Sequence, residues 1–66
     1  MTTMNDIEQW HQSAEQGDAE AQFKLGLRFD NGEGVPRDET AAIGWYRRAA
    51  DRGHATAQLH LGLMLN

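Results

Sequence analysis

Gly17-Asp18-Ala19-Glu20-Ala21-Gln22-Phe23-Lys24-Leu25-Gly26-Leu27 returns as Gly53-His54-Ala55-Thr56-Ala57-Gln58-Leu59-His60-Leu61-Gly62-Leu63, at an offset of 36 residues. Extended without a gap, His11 to Asp30 lies over Arg47 to Asn66, and 8 of 20 positions are identical. The identities, Ala14, Gly17, Ala19, Ala21, Gln22, Leu25, Gly26 and Leu27, are concentrated in small and apolar residues. A period in the range of roughly 20–50 residues marks a solenoid, whose units bury their apolar faces only against neighbouring units. Such scaffolds mostly bind rather than transform, so the repeat points to interaction.

Gly17 and Gly53 each close one helical segment and precede another, as a left-handed C′ residue does. Four helices are expected, over about 5–16, 18–30, 39–52 and 54–66. Asp18 and Asp38 stand where N-caps belong, and Glu39 adds favourable charge to a first turn. No stretch alternates with period two, so strands are not expected. Asn31 and Gly32 stop the second helix, while Pro36 holds Val35 extended and blocks backward propagation from Glu39. Val35, apolar in a polar loop, is expected to plug the adjacent helix pair.

The third helix places Ala42, Trp45, Tyr46, Ala49 and Ala50 at three- and four-residue steps. This is a packing face that mixes small residues with large rings. The second helix has two apolar stripes, Ala21-Leu25-Phe29 and, nearly opposite, Phe23-Leu27. A helix with two such stripes is sandwiched or offers one of them to a partner.

These residues resemble the Sel-one-like repeat family, relatives of the tetratricopeptide repeats. The resemblance runs through Ala21-Gln22-Phe23-Lys24-Leu25-Gly26-Leu27-Arg28-Phe29, then Gly32-Glu33-Gly34-Val35-Pro36-Arg37-Asp38. It continues through Ala42, Trp45-Tyr46-Arg47-Arg48-Ala49-Ala50, Gly53 and Ala57. One full unit (18–52) is covered, with about half a unit on each side, and Phe29 stands where the family commonly has tyrosine. The resemblance implies an all-α fold of antiparallel helix-turn-helix repeats in a short right-handed α-solenoid, acting as scaffold or adaptor without catalysis. It also implies that the first helix of each pair lines a concave groove. Here that groove would comprise Glu20, Phe23, Leu27 and Asp30, then Thr56, Leu59, Leu63 and Asn66, an apolar floor with acidic and polar edges. An amphipathic helix or extended peptide suits such a surface. The competing reading is that these side chains pack on one another or on further repeats.

The two ends differ. Ala42, Trp45 and Ala49 correspond to Asp6, Gln9 and Ser13 at the repeat offset, whereas Ile7, Trp10 and Ala14 keep the apolar character of Ile43, Tyr46 and Ala50. The first helix therefore reads as a polar cap near the start of an array. Leu59, Leu61, Leu63, Met64 and Leu65 crowd the last helix with nothing to cover them. Either the protein continues, which is the favoured expectation, or copies associate through that helix as a homodimer.

Composition narrows the rest. Sixty-six residues are one small domain, and with no cysteine neither disulfides nor thiolate metal sites hold it. A net charge of −4 argues against nucleic acid and anionic membrane surfaces as partners. The polar, acidic N-terminus is no secretory signal, so a cytoplasmic location is the default expectation. Asp30, Glu33 and Asp38 lack the ligand ladder of a calcium loop. His54 and His60 lie six apart, about 120° round a helix, and do not converge, while His11 with Glu8 or Glu15 supplies only two ligands. Ser13 and His11 point apart on one helix, and no acid/base pair is recognisable. Lys24 and Arg28, with Glu20, form a charged ridge of the kind usual on a solvated helix face. No cofactor, metal or catalytic residue is expected.

Overall fold

The computed structural model describes the backbone of residues 6–65 and the side chains of residues 11–65. Readings placed on residues 1–5, on the side chains of Asp6, Ile7, Glu8, Gln9 and Trp10, and on Asn66 lie outside the described residues. Four helices follow one another: α1 (Asp6–Glu15), α2 (Ala19–Asn31), α3 (Glu39–Asp51) and α4 (Ala55–Leu65). No strand occurs among the described residues. Each helix packs on the next in sequence, α1 on α2, α2 on α3 and α3 on α4. Rings also reach across to the helix after next: His11 of α1 meets Trp45 of α3 edge-on at 5.5 Å, and Phe23 of α2 meets His60 of α4 at 5.2 Å. The result is an all-α solenoid of two layers, α1 with α3 and α2 with α4.

The α1–α2 and α3–α4 turns are built alike. Gly17 (φ 97°) and Gly53 (φ 89°) take the left-handed conformation that glycine adopts without a Cβ penalty. The Gly17 and Gly53 N–H groups donate to Ala14 O and Ala50 O at 3.0 and 2.9 Å. The next N–H groups, of Asp18 and His54, donate to Ser13 O and Ala49 O at 3.0 and 3.1 Å. A repeated glutamine then ties each turn shut. Gln22 Nε2 donates to Ala14 O at 3.0 Å, and Gln58 Nε2 donates to Ala50 O at 3.1 Å.

Side-chain caps start α2 and α3. Asp18 accepts from the Glu20 and Ala21 N–H groups, and Asp38 accepts from Ala41. Gly32, at φ 70°, ends α2 in the left-handed conformation. The loop that follows is held locally: Arg28 pairs with Glu33 at 3.1 Å, and Arg37 Nε donates to Asp30 O at 2.9 Å. Val35 is half-buried there. The three acidic residues around this loop thus each serve the backbone or a neighbouring side chain, and no group of three metal-ligating side chains occurs among the described residues.

The core is made mostly of alanine. Ala14, Ala21, Ala42, Ala49 and Ala57 are buried, and the large side chains wholly withdrawn from solvent are Leu25 and Tyr46. Small residues let the helices approach closely, and the deep ring of Tyr46 fills what remains. Tyr46 lies against Gly26, where an added Cβ would come within 2.5 Å of its ring. Trp45, half-buried, packs instead toward Ala14 and Leu25, with the Arg48 guanidinium 4.8 Å from its ring centre. Adjacent rings on α3 therefore serve different neighbours.

Candidate functional site

The positions on α2 and α4 expected to line a groove do not form one open surface. Phe23 is half-buried, stacked on His54 at 4.7 Å, edge-on to His60 at 5.2 Å and tilted against Tyr46 at 5.7 Å. Both histidines thus converge on one ring, contrary to the expectation drawn from their angular separation. The physical reason is that His54 precedes α4 and caps it, so helical geometry does not govern its direction. Its Nδ1 accepts from the Ala57 N–H at 3.1 Å, while Nε2 lies 2.8 Å from Glu20 Oε1. With Nδ1 accepting, Nε2 carries the proton and donates to the carboxylate. His54 occupies the place that Asp18 holds one repeat earlier, and it adds a bridge from α4 back to α2.

Asp30, at the other end of the α2 row, accepts from the Tyr46 hydroxyl at 3.4 Å. Burial raises the Tyr46 hydroxyl above its ordinary value of 10.0, and the charge and hydrogen-bond acceptance of Asp30 raise it further. The phenol is therefore a fixed donor at neutral pH. Leu27 is half-buried beside a hollow of about 190 Å³ that it shares with Lys24, Arg28, Asn31 and Glu33. On α4, Thr56 is exposed, Leu59 is 61% exposed and Leu63 is 67% exposed. The α2 half of the expected groove is thus largely engaged in packing and capping, and the α4 half is open.

Sequence reasoning weighed His54 and His60 only as metal ligands and missed their packing on Phe23, 31 and 37 residues earlier. The available signal was positional: His54 falls on the cap position of Asp18. It also missed the contrast between Gly26 and Gly62. Gly26 is pressed against Tyr46, whereas a Cβ on Gly62 would meet nothing within 4 Å. Leu65, beside Gly62 on α4, is 56% exposed.

Helical hairpins repeated at an offset of 36 residues, with no strand among the described residues and an alanine-rich seam, define a helical-repeat scaffold. The Sel1 repeat model matches residues 19–54, more than half of the chain, and the chain belongs to the Sel1 repeat family. A Sel1 repeat protein from Oxalobacter formigenes has a similar crystal structure, with a TM-score of 0.87 and 40% identity. That match covers 88% of this chain and 24% of the other. The chain is 42% identical over 52 residues to the chitin synthase regulator SKT5 of Malassezia restricta, covering 79% of this chain and 4% of the relative. It is 46% identical over 43 residues to the secretory immunoglobulin A-binding protein EsiB of Escherichia coli O6:H1, covering 65% of this chain and 9% of the relative. The chain therefore spans a small part of the length of each. No helix among the described residues is long and apolar enough to cross a membrane.

Proposed function

We propose that this chain is a protein-binding scaffold module whose concave side takes a peptide or helix from another protein. The carrying observation is the exposure of Leu59 and Leu63, one turn apart on α4, whose start is linked through His54 to the acidic Glu20 of α2. Large apolar side chains set side by side in water favour a partner with apolar anchors. Glu20 and Asp30 at the margin favour basic residues flanking those anchors. The relatives support the general class, since one is described as a regulator and another as an immunoglobulin-binding protein. No catalytic role is assigned, and no residue of the chain is given one.

The test is capture of binding proteins by the immobilised chain, compared with Leu27→Ser and with Leu59→Ser/Leu63→Ser. The α4 pair is exposed, so its replacement leaves the melting temperature nearly unchanged and removes the partner. A partner retained at full level by both variants contradicts the groove reading. Phe23→Ser is unsuitable for this purpose, because the ring is packed against His54, His60 and Tyr46 and its loss loosens the fold.

A further inference from the structure

His54 holds the start of α4 through a lone pair that a proton can occupy. Its Nδ1 accepts from the Ala57 N–H at 3.1 Å, and its Nε2 lies 2.8 Å from Glu20 Oε1. A backbone N–H can only donate, so Nδ1 is bare and the ring is neutral, with its one proton on Nε2. One repeat earlier the same position is Asp18, whose carboxylate accepts from the Ala21 N–H at 3.3 Å. Ala21 and Ala57 are equivalent at the 36-residue offset. An aspartate side chain ordinarily stays charged above about pH 5, whereas histidine is the side chain that changes charge between about pH 5 and 8. The two caps therefore answer differently to acid.

We propose that His54 is an acid-sensitive latch: protonation at Nδ1 releases the first turn of α4 while the ring stays bound to Glu20. The added proton comes from solvent and takes the lone pair that Ala57 uses, which sets two N–H groups against each other. An imidazolium has no acceptor left, so no rotation of the ring restores the cap. The Nε2–H still donates to Glu20, now as a charge-assisted hydrogen bond. The side chain is 15% exposed and its ring is stacked on Phe23 at 4.7 Å, so it keeps its seat on α2. Acid thus exchanges a bond to α4 for a stronger bond to α2. The charged and titratable neighbours are Glu20 and, one turn on, Lys24 from α2, Asp51 and Arg52 at the end of α3, and His60 of α4. His60 packs edge-on against the same Phe23 ring, so it is the second histidine that the test must separate. Leu59 and Leu63 stand one and two turns beyond the released start, so acid loosens the helix that presents them.

The experiment uses the full chain labelled with nitrogen-15 and needs no binding partner. At about pH 8 the ring spectrum of His54 shows Nε2 protonated and Nδ1 bare. Amide exchange with water is then read at Ala57 and at Ala21, each corrected for intrinsic rate. Their ratio cancels any loss of global stability, which exposes both amides. From about pH 8 to pH 5 the protection of Ala57 relative to Ala21 falls about fivefold, the change that loss of one cap brings. In His54→Asp, with a carboxylate in its place, the ratio stays constant. In His60→Gln it falls as in the parent. A proton on Nδ1 at pH 8, or a constant ratio in the parent, overturns the proposal. So does a fall that survives in His54→Asp or disappears in His60→Gln, because the sensing group is then not His54.

Discussion

Two glycines 36 residues apart ask opposite things of the same substitution. Gly26→Ala forces a Cβ into a space where the Tyr46 ring already stands at 2.5 Å, so the ring or the helix must move. Overpacking of this kind costs about 1–3 kcal/mol, more than the helix-propensity gain returns. Gly62→Ala meets no neighbour and raises stability by up to about 1 kcal/mol. Urea denaturation of the two variants checks the sign of each, and a loss of stability in Gly62→Ala would show that α4 is covered differently. Tyr46 supplies a second residue-level prediction. Its hydroxyl titrates above the ordinary value of 10.0 in the folded chain, through burial first and Asp30 second. The protonated form is therefore favoured by folding, and that contribution is whole below about pH 10 and lost as the pH rises beyond it. Stability measured across about pH 8 to 11 should fall in the parent chain. In Tyr46→Phe that alkaline decline should be smaller, while the loss of one long hydrogen bond costs about 0.5–1.5 kcal/mol at neutral pH.

At the scale of elements, the helix starts differ in what they hold together. Asp38→Ala removes a cap that serves α3 alone and costs about 1 kcal/mol. His54→Ala removes the cap of α4, the link to Glu20 and the stack on Phe23 in one change. It should cost more than Asp38→Ala, and urea denaturation of both gives the comparison. His54→Asp separates the parts, since it restores the carboxylate cap that Asp18 provides to α2 but sets a charge against Glu20. Partial rescue relative to His54→Ala is expected. These details mark the limit of what periodicity conveys. The turns at Gly17 and Gly53, the caps Asp18 and Asp38, and the buried stripe of α3 follow local chemistry and stand in the sequence. The engagement of Phe23 does not, because two of its three ring partners, His54 and His60, arrive from the next unit and His54 sits outside the helix. Gln22 and Gln58 are visible as a recurrence, yet their shared bond to a carbonyl eight residues back needs the turn to be folded first.

The whole molecule is held by little. Among the described residues, Leu25 and Tyr46 are the large side chains removed from solvent, and the remaining buried apolar residues are alanines. A core of this size in a chain below about 70 residues rarely supplies more than about 3–5 kcal/mol. Leu25 lies at 0% exposure where α1, α2 and Trp45 meet, so Leu25→Ala removes a central part of that core. Such truncations cost about 2–5 kcal/mol, a loss comparable to the stability available. The expected outcome is loss of cooperative thermal melting and of most helical circular dichroism at room temperature. By contrast, Leu63→Ala, at 67% exposure, should leave both nearly intact. Any helix that binds the folded chain and not the unfolded one must add to this narrow margin by mass action. A ligand at a hundred times its dissociation constant contributes about 2.7 kcal/mol, enough to restore a measurable folded population to moderately destabilised variants. If Leu25→Ala instead melts cooperatively near the parent temperature, the seam between α1, α2 and α3 does not carry the fold, and a covered α4 would be its support.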